Sequence, residues 1–325
     1  MLSFIPMVLP IPGVVNLSNP FRARQWLRLL EPSPRYGLRF HPNLDLPARL
    51  LGFSFESNGL GFRGPSSRGG KAMLLGTSFA MGLSVDKGLN WYDGFLDPRE
   101  WLNGSMPVGP RNQQAVVKDF YEGEGKVLLY IYHPNIWRTA QSFMKATEQG
   151  VDIFTYLRWK TSLLDTLRLY PKWIAKEIAK VSIGKSVYRQ WGSQRYHLNA
   201  AYNFLDPTSG SAVVEDCIEA LREIFSGFSR VIVIRAPIKE DSLPQNLRTR
   251  QLEALNDNYE LYWEKFRGSF GSNVRCYGLD HAAFGPDHFL PFDTHWSPSG
   301  NALFREVIRP IMEKERVGHL LLQKP

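Results

Sequence analysis

Three side chains in this sequence have the types and settings that acyl-transfer chemistry needs: Ser78, Asp293 and His295. A serine hydroxyl is a weak nucleophile until a base takes its proton, and a carboxylate beside that base fixes its tautomer. Ser78 follows the apolar run Ala72–Leu75, which suits a buried strand, and Gly76, which breaks it. The pattern predicts a strand, a sharp turn and a helix with Ser78 as its N-cap. In an open α/β sheet such a turn lies at the carboxyl end of the strand and aims N–H groups and the hydroxyl into the ligand crevice. The plainer reading is an ordinary capped βα turn. Asp293 and His295 precede Ser297-Pro298, an N-cap followed by proline at the first helical position. Two residues apart in an extended segment, they leave the backbone on one side, so the carboxylate reaches the imidazole. Asp-x-His also occurs in loops without chemistry, and Asp287-His288 lies close by as a rival pair.

The elements that must position these residues alternate. Strands are expected at Ala72–Leu75, near Trp101–Leu102, at Val127–Tyr132, at Arg230–Arg235 and at Val274–Tyr277. Val214, Ile218, Leu221 and Phe225 share a helical face before the fourth, and Ala302, Leu303, Val307, Ile308 and Ile311 supply the face of the last helix. Strands alternating with helices imply an α/β fold with a parallel, doubly wound sheet. Residues 1–70 read as an N-terminal arm packed on the core, with a short helix from Asn19-Pro20 carrying Trp26 to Leu30, then a β-rich stretch from Tyr36 to Phe62. A turn rich in glycine and proline runs from Asn103 to Pro110, and His133-Pro134-Asn135 closes the third strand.

At 325 residues and 43% hydrophobic content the chain can bury a full core as one domain with additions. Cys217 and Cys276 make neither a disulfide framework nor a metal site and read as buried free thiols. The apolar start, Met1–Val15, lacks a basic region and holds Pro6, Pro10 and Pro12, so it does not read as a signal peptide. With no membrane-length apolar run, the expectation is a cytoplasmic protein, or one peripheral to a membrane. The net charge of +8 is concentrated between Arg158 and Arg195, where nine basic residues face only Asp165 and Glu177. Residues 151–210 are expected to form an amphipathic helical insertion, either a cover with a solvated basic face or a lid bearing Trp159, Trp173 and Trp191. Such a field favours an anionic surface or an acidic carrier protein as partner, and no recognised nucleic-acid motif accompanies it.

These blocks together resemble the SGNH, or GDSL-type, hydrolases in their Asp-x-His-Trp form. Gly76 to Gly82 is similar to the family's first block and Asn103 to Gly109 to its second. His133-Pro134-Asn135 resembles the third, and Asp293 to Gly300 the last. Asn58 to Gly64 looks like the segment that precedes the first block in bacterial members. Thr77 stands where the family usually has aspartate, and the second block is a residue out of register, so that Gly104 and Ser105 compete with Gly109 as oxyanion donor.

The resemblance implies a flavodoxin-like three-layer α/β/α domain over 71–325, no cofactor and no metal. It implies Ser78 as nucleophile, His295 as base, Asp293 as its orienting acid, and the Ser78 N–H, Gly109 and Asn135 as oxyanion donors. The activity implied is hydrolysis of an acyl ester, or of an acyl-carrier thioester, through a covalent acyl-serine. The alternatives are an O-acyltransferase with the same triad, and a binding protein that keeps the fold without catalysis. An α/β-hydrolase is set aside because Ala80 stands where its Gly-x-Ser-x-Gly elbow needs glycine.

Overall fold

A computed structural model of the chain describes residues 29–33, 35–48, 53–123, 126–134, 136–137, 140, 187–198, 212–291 and 294–322. Its centre is a five-stranded parallel sheet of β5 (Ala72–Gly76), β6 (Trp101–Asn103), β7 (Val127–Tyr132), β10 (Arg230–Arg235) and β11 (Val274–Tyr277). Across the sheet the order is β11-β10-β7-β5-β6, so the chain steps outward from β5 to β6, then crosses back to continue on the other side. β5, β7 and β10 are buried almost throughout, as expected of strands covered on both faces.

Alternate residues of these strands feed two cores, because successive side chains point to opposite faces. Met73, Leu75, Leu128, Tyr130, Val231 and Val233 pack with α1 (Pro110–Phe120) and α2 (Ala212–Ser226). Ala72, Leu74, Leu129, Ile131, Ile232 and Ile234 pack with α5 (Pro298–Lys314). Between β10 and β11 come the single-turn α3 (Lys239–Ser242) and α4 (Arg250–Arg267). The sheet is thus flanked by helices in an α/β architecture. Ser297 caps α5 through the Gly300 N–H, as its place before Pro298 predicts, but the fully buried stripe is Phe304, Ile308 and Met312, with Leu303, Val307 and Ile311 at its margin.

The described part of the arm is β-rich. β1 (Leu30–Ser33) pairs with β2 (Gly37–Phe40), and β3 (Asp45–Leu46) with β4 (Phe55–Glu56). Phe40, Phe53, Phe55 and Phe62 join the α1/α2 core. The expected short helix is corrected at its end, since Leu30 lies in β1; its earlier residues, through Trp26, lie outside the described residues.

The expected helical insertion also needs correction where it is described. β8 (Val187–Trp191) and β9 (Gln194–Leu198) form a hairpin whose two-residue loop starts at Gly192, with φ of +63°. Glycine at the first loop position suits a II′ turn, which matches the twist of the flanking strands and favours a hairpin over a helix. Trp191 is buried against Phe289, with ring centroids 5.9 Å apart, and is not part of an exposed lid face. Residues 151–186 and 199–210, with Trp159 and Trp173, lie outside the described residues. No helix among the described residues is long and apolar enough to cross a membrane. Cys217 is buried and Cys276 half-buried, both as free thiols, and burial pushes them up to about 12 and about 11.

Candidate active site

β5 runs one residue further than its apolar run, through Gly76, and the backbone there explains the turn. Gly76 has φ of +149°, and a Cβ on it would stand 2.6 Å from the Ile131 carbonyl oxygen and 2.7 Å from Ala80 Cβ. Only glycine fits so close to the neighbouring strand. The helix expected from Ser78 does not form. A single turn, with Met81 N–H donating to the Thr77 carbonyl at 3.1 Å, is ended at once by a Schellman motif. The Leu83 N–H donates to Ser78 O at 3.0 Å and the Gly82 N–H to Phe79 O at 3.1 Å, with Gly82 at φ +68°. Ser78 is left half-buried at the carboxyl end of β5.

The histidine arrives from the other end of the chain. Phe289 bridges Trp296 in antiparallel fashion, and Leu290 N–H donates to His295 O at 3.0 Å. Leu290 and His295 thus face each other across an antiparallel pairing, and the segment expected to be extended from Asp293 to His295 begins outside the described residues. Lys239, buried in α3, donates from Nζ to the Leu290 carbonyl at 3.1 Å and to Pro291 O at 3.4 Å. Trp296 Nε1 donates to Pro237 O at 2.8 Å, and Gly300 leaves no room for a side chain beside His288 O. Held in this way, His295 Nε2 lies 2.7 Å from Ser78 Oγ.

His288 is engaged elsewhere, its Nδ1 accepting from the Gly285 N–H at 2.9 Å, so the rival Asp287-His288 pair does not meet the serine. Asp293 lies outside the described residues. On the far side of the imidazole, His295 Nδ1 and Ser84 Oγ are 3.5 Å apart.

Compared with known proteins, the chain matches no family model, no curated protein and no solved structure. The chemistry of the site rests on its own residues.

Among the described residues, the N–H groups of Ser78 and Gly109 donate to no acceptor. The competing donors of the second turn are already used: Gly104 N–H by Leu74 O, Ser105 N–H by Asn103 Oδ1, and Met106 N–H by Gly76 O. Gly109 is the N-cap of α1, packed against Ala140. Asn135 lies outside the described residues.

Thr77 contributes no brace to the serine turn, because its buried hydroxyl has no partner among the described residues. Gln113 braces it instead. Its Nε2 donates to Gly76 O at 3.2 Å and to Val108 O at 3.5 Å, and its Oε1 accepts from the Tyr130 hydroxyl at 3.3 Å. Arg63 supports the turn from the arm, donating to Gly82 O and, at 2.7 Å, to Val85 O.

Phe79 lines the inner wall, with His133, His295 and Trp296 all within 5.0 Å of its ring centroid. Burial, and then the proximity of His295 and Arg235, push His133 down to about 3, so it stays neutral beside His295. Arg235 is itself buried, paired with Asp241 at 2.7 Å and Glu260 at 2.6 Å. Ser84, Gln113 and Lys239 carry no signal in the sequence, and Phe79 and His133 enter there only as members of the first and third blocks. The local signals are the place of Phe79 beside Ser78 and that of His133 at the end of the third strand.

Proposed function

We propose that the chain is a serine-dependent acyl-ester hydrolase that works through a covalent acyl-serine. The observation that carries this reading is the 2.7 Å contact between Ser78 Oγ and His295 Nε2 at the carboxyl end of a parallel sheet. That distance is within hydrogen-bond range, as a nucleophile and its base require. The strand order β6-β5-β7-β10-β11 supports placing the domain in the flavodoxin-like, doubly wound class, with the serine after β5, next to the topological switch point where such sheets take ligands.

In the proposed reaction Ser78 Oγ attacks the acyl carbonyl carbon as its proton passes to His295 Nε2. The tetrahedral oxyanion is met by the Ser78 and Gly109 N–H groups, with the Asn135 amide as a third donor. One such donor is worth about 3 kcal/mol of barrier. The imidazolium returns its proton to the leaving alkoxide or thiolate, and the acyl-serine remains. A water molecule then gives its proton to His295 and attacks the acyl carbon, and His295 passes that proton to Ser78 Oγ as its bond to the acyl carbon breaks, releasing the acid and the free serine. Asp293 is the proposed orienting acid for His295. Neutral His133 adds no positive charge beside the imidazolium that forms.

Incubation with a fluorophosphonate, followed by mapping of the modified peptide, tests the reading. Modification at Ser78, abolished by Ser78→Ala and by His295→Ala, is the expected result. Modification at another serine, or ester hydrolysis undiminished in Ser78→Ala, would overturn it.

A further inference from the structure

Ser84 stands out because its backbone and its hydroxyl point to the same explanation. Its φ is +74°, a left-handed conformation that costs a residue with a Cβ and is free for glycine. Its Oγ lies 3.5 Å from His295 Nδ1, on the opposite side of the ring from Ser78.

The backbone on both sides of Ser84 is tied down from the N-terminal arm. The Arg63 guanidinium is buried between the rings of Phe53 and Phe55 and forms no ion pair among the described residues. It donates instead to the carbonyls of Gly82 and Val85, which flank Ser84, and at 3.4 Å to Ser54 O. Ser54 in turn donates from its hydroxyl to Asp86 Oδ1 at 2.8 Å. Burying a guanidinium is costly unless its donors are used; here the two terminal nitrogens donate to the backbone around Ser84 and to Ser54 O, while Nε has no partner among the described residues. A strained residue held by surrounding contacts, with its side chain at a reacting group, is the pattern in which strain serves function.

We propose that Ser84 is a positioning residue for His295, held in its left-handed conformation by Arg63. Before Nε2 takes the Ser78 proton, the neutral ring carries its own proton on Nδ1, and Ser84 Oγ accepts from that N–H alongside the orienting carboxylate proposed for Asp293. The contact favours the tautomer in which Nε2 is free to act as base, and it turns the ring toward Ser78. The inference rests on the hydrolase reading, in which His295 is the base.

Ser84→Gly separates this role from a structural one. Glycine suits φ of +74°, so the variant should melt no lower than the wild type, yet it lacks the hydroxyl. Fluorophosphonate modification of Ser78 should slow by about tenfold, the worth of one oriented hydrogen bond, and Ser84→Ala should slow equally. In ¹⁵N-labelled protein, the His295 Nδ1–H tautomer should predominate in the wild type and lose population in Ser84→Gly. An unchanged modification rate together with an unchanged tautomer would overturn the proposal. Wild-type protein that is not modified at all would overturn the hydrolase reading, and the tautomer measurement would still decide whether Ser84 orients His295.

Discussion

The rings of Phe79 and His133 lie stacked, 4.5 Å between centroids and 16° from parallel. This places a buried imidazole against the wall of the site and holds it neutral, pushed from 6.5 down to about 3. In the unfolded chain the same group binds a proton below about pH 6.5. Its contribution to stability is therefore full above pH 6.5 and is lost as the pH falls toward 3. Between about pH 7.5 and 5 the loss attributable to His133 should be about 2 kcal/mol. Urea midpoints at the two pH values check this: His133→Phe, which keeps a flat ring on Phe79, should show a drop smaller by that amount.

Gly76→Ala should be damaging out of proportion to one methyl group. The new Cβ would meet the Ile131 carbonyl and Ala80 Cβ, neither of which is the end of a flexible side chain. The cost should be roughly 1–3 kcal/mol, with the serine turn displaced from His295. Thermal unfolding and ester hydrolysis should both fall, hydrolysis to near background.

Gln113→Leu keeps the volume of a buried side chain while leaving Gly76 O without its side-chain donor and the Tyr130 hydroxyl without its acceptor. The expected loss is about 1–3 kcal/mol. The measured kcat for a small ester should fall while KM changes little, because the turn that carries Ser78 is loosened and no substrate contact is removed.

Three of the central strands were legible to the residue, because Val127–Tyr132, Arg230–Arg235 and Val274–Tyr277 are compact, mostly apolar runs bounded by turn residues. Helix α1 was not, since Pro110–Phe120 is mostly polar and buries only Pro110, Gln113, Val116 and Phe120. The helix expected after Ser78 failed on a single residue, Gly82, whose left-handed backbone ends the turn. The hairpin at 187–198 was masked by a helical spacing of apolar residues in the stretch before it, with Gly192 as the one contrary signal. In the site, Ser78 was legible from the apolar strand and Gly76 just before it, and His295 from the Ser297-Pro298 helix start just after it. Ser84, Gln113 and Lys239 were not, because each acts on backbone or side chains remote in sequence, and only the fold brings them together.

Lys239→Met should loosen the loop of His295 relative to the turn of Ser78. The methionine keeps the apolar stem but leaves the Leu290 and Pro291 carbonyls without that donor. Stability should drop by about 1–3 kcal/mol. Hydrolysis at a temperature where the variant remains folded should fall at least tenfold, checked by kcat/KM for a small ester. Unchanged kcat/KM would mean that the Phe289–Trp296 bridge and the Trp296–Pro237 hydrogen bond hold the histidine without Lys239.

Ser78 and His295 are 217 positions apart, and the turn of the first is braced by the arm while the loop of the second is braced from α3. Closing a loop of that length costs chain entropy that no local contact repays, so this pairing belongs to the late part of folding. A growing or partly folded chain has Ser78 but not His295. In the proposed reaction, nucleophilic reactivity is thereby withheld until the carboxyl-terminal segment has docked, and a chain cut short before residue 295 should stay unmodified by a fluorophosphonate however well its first strands assemble.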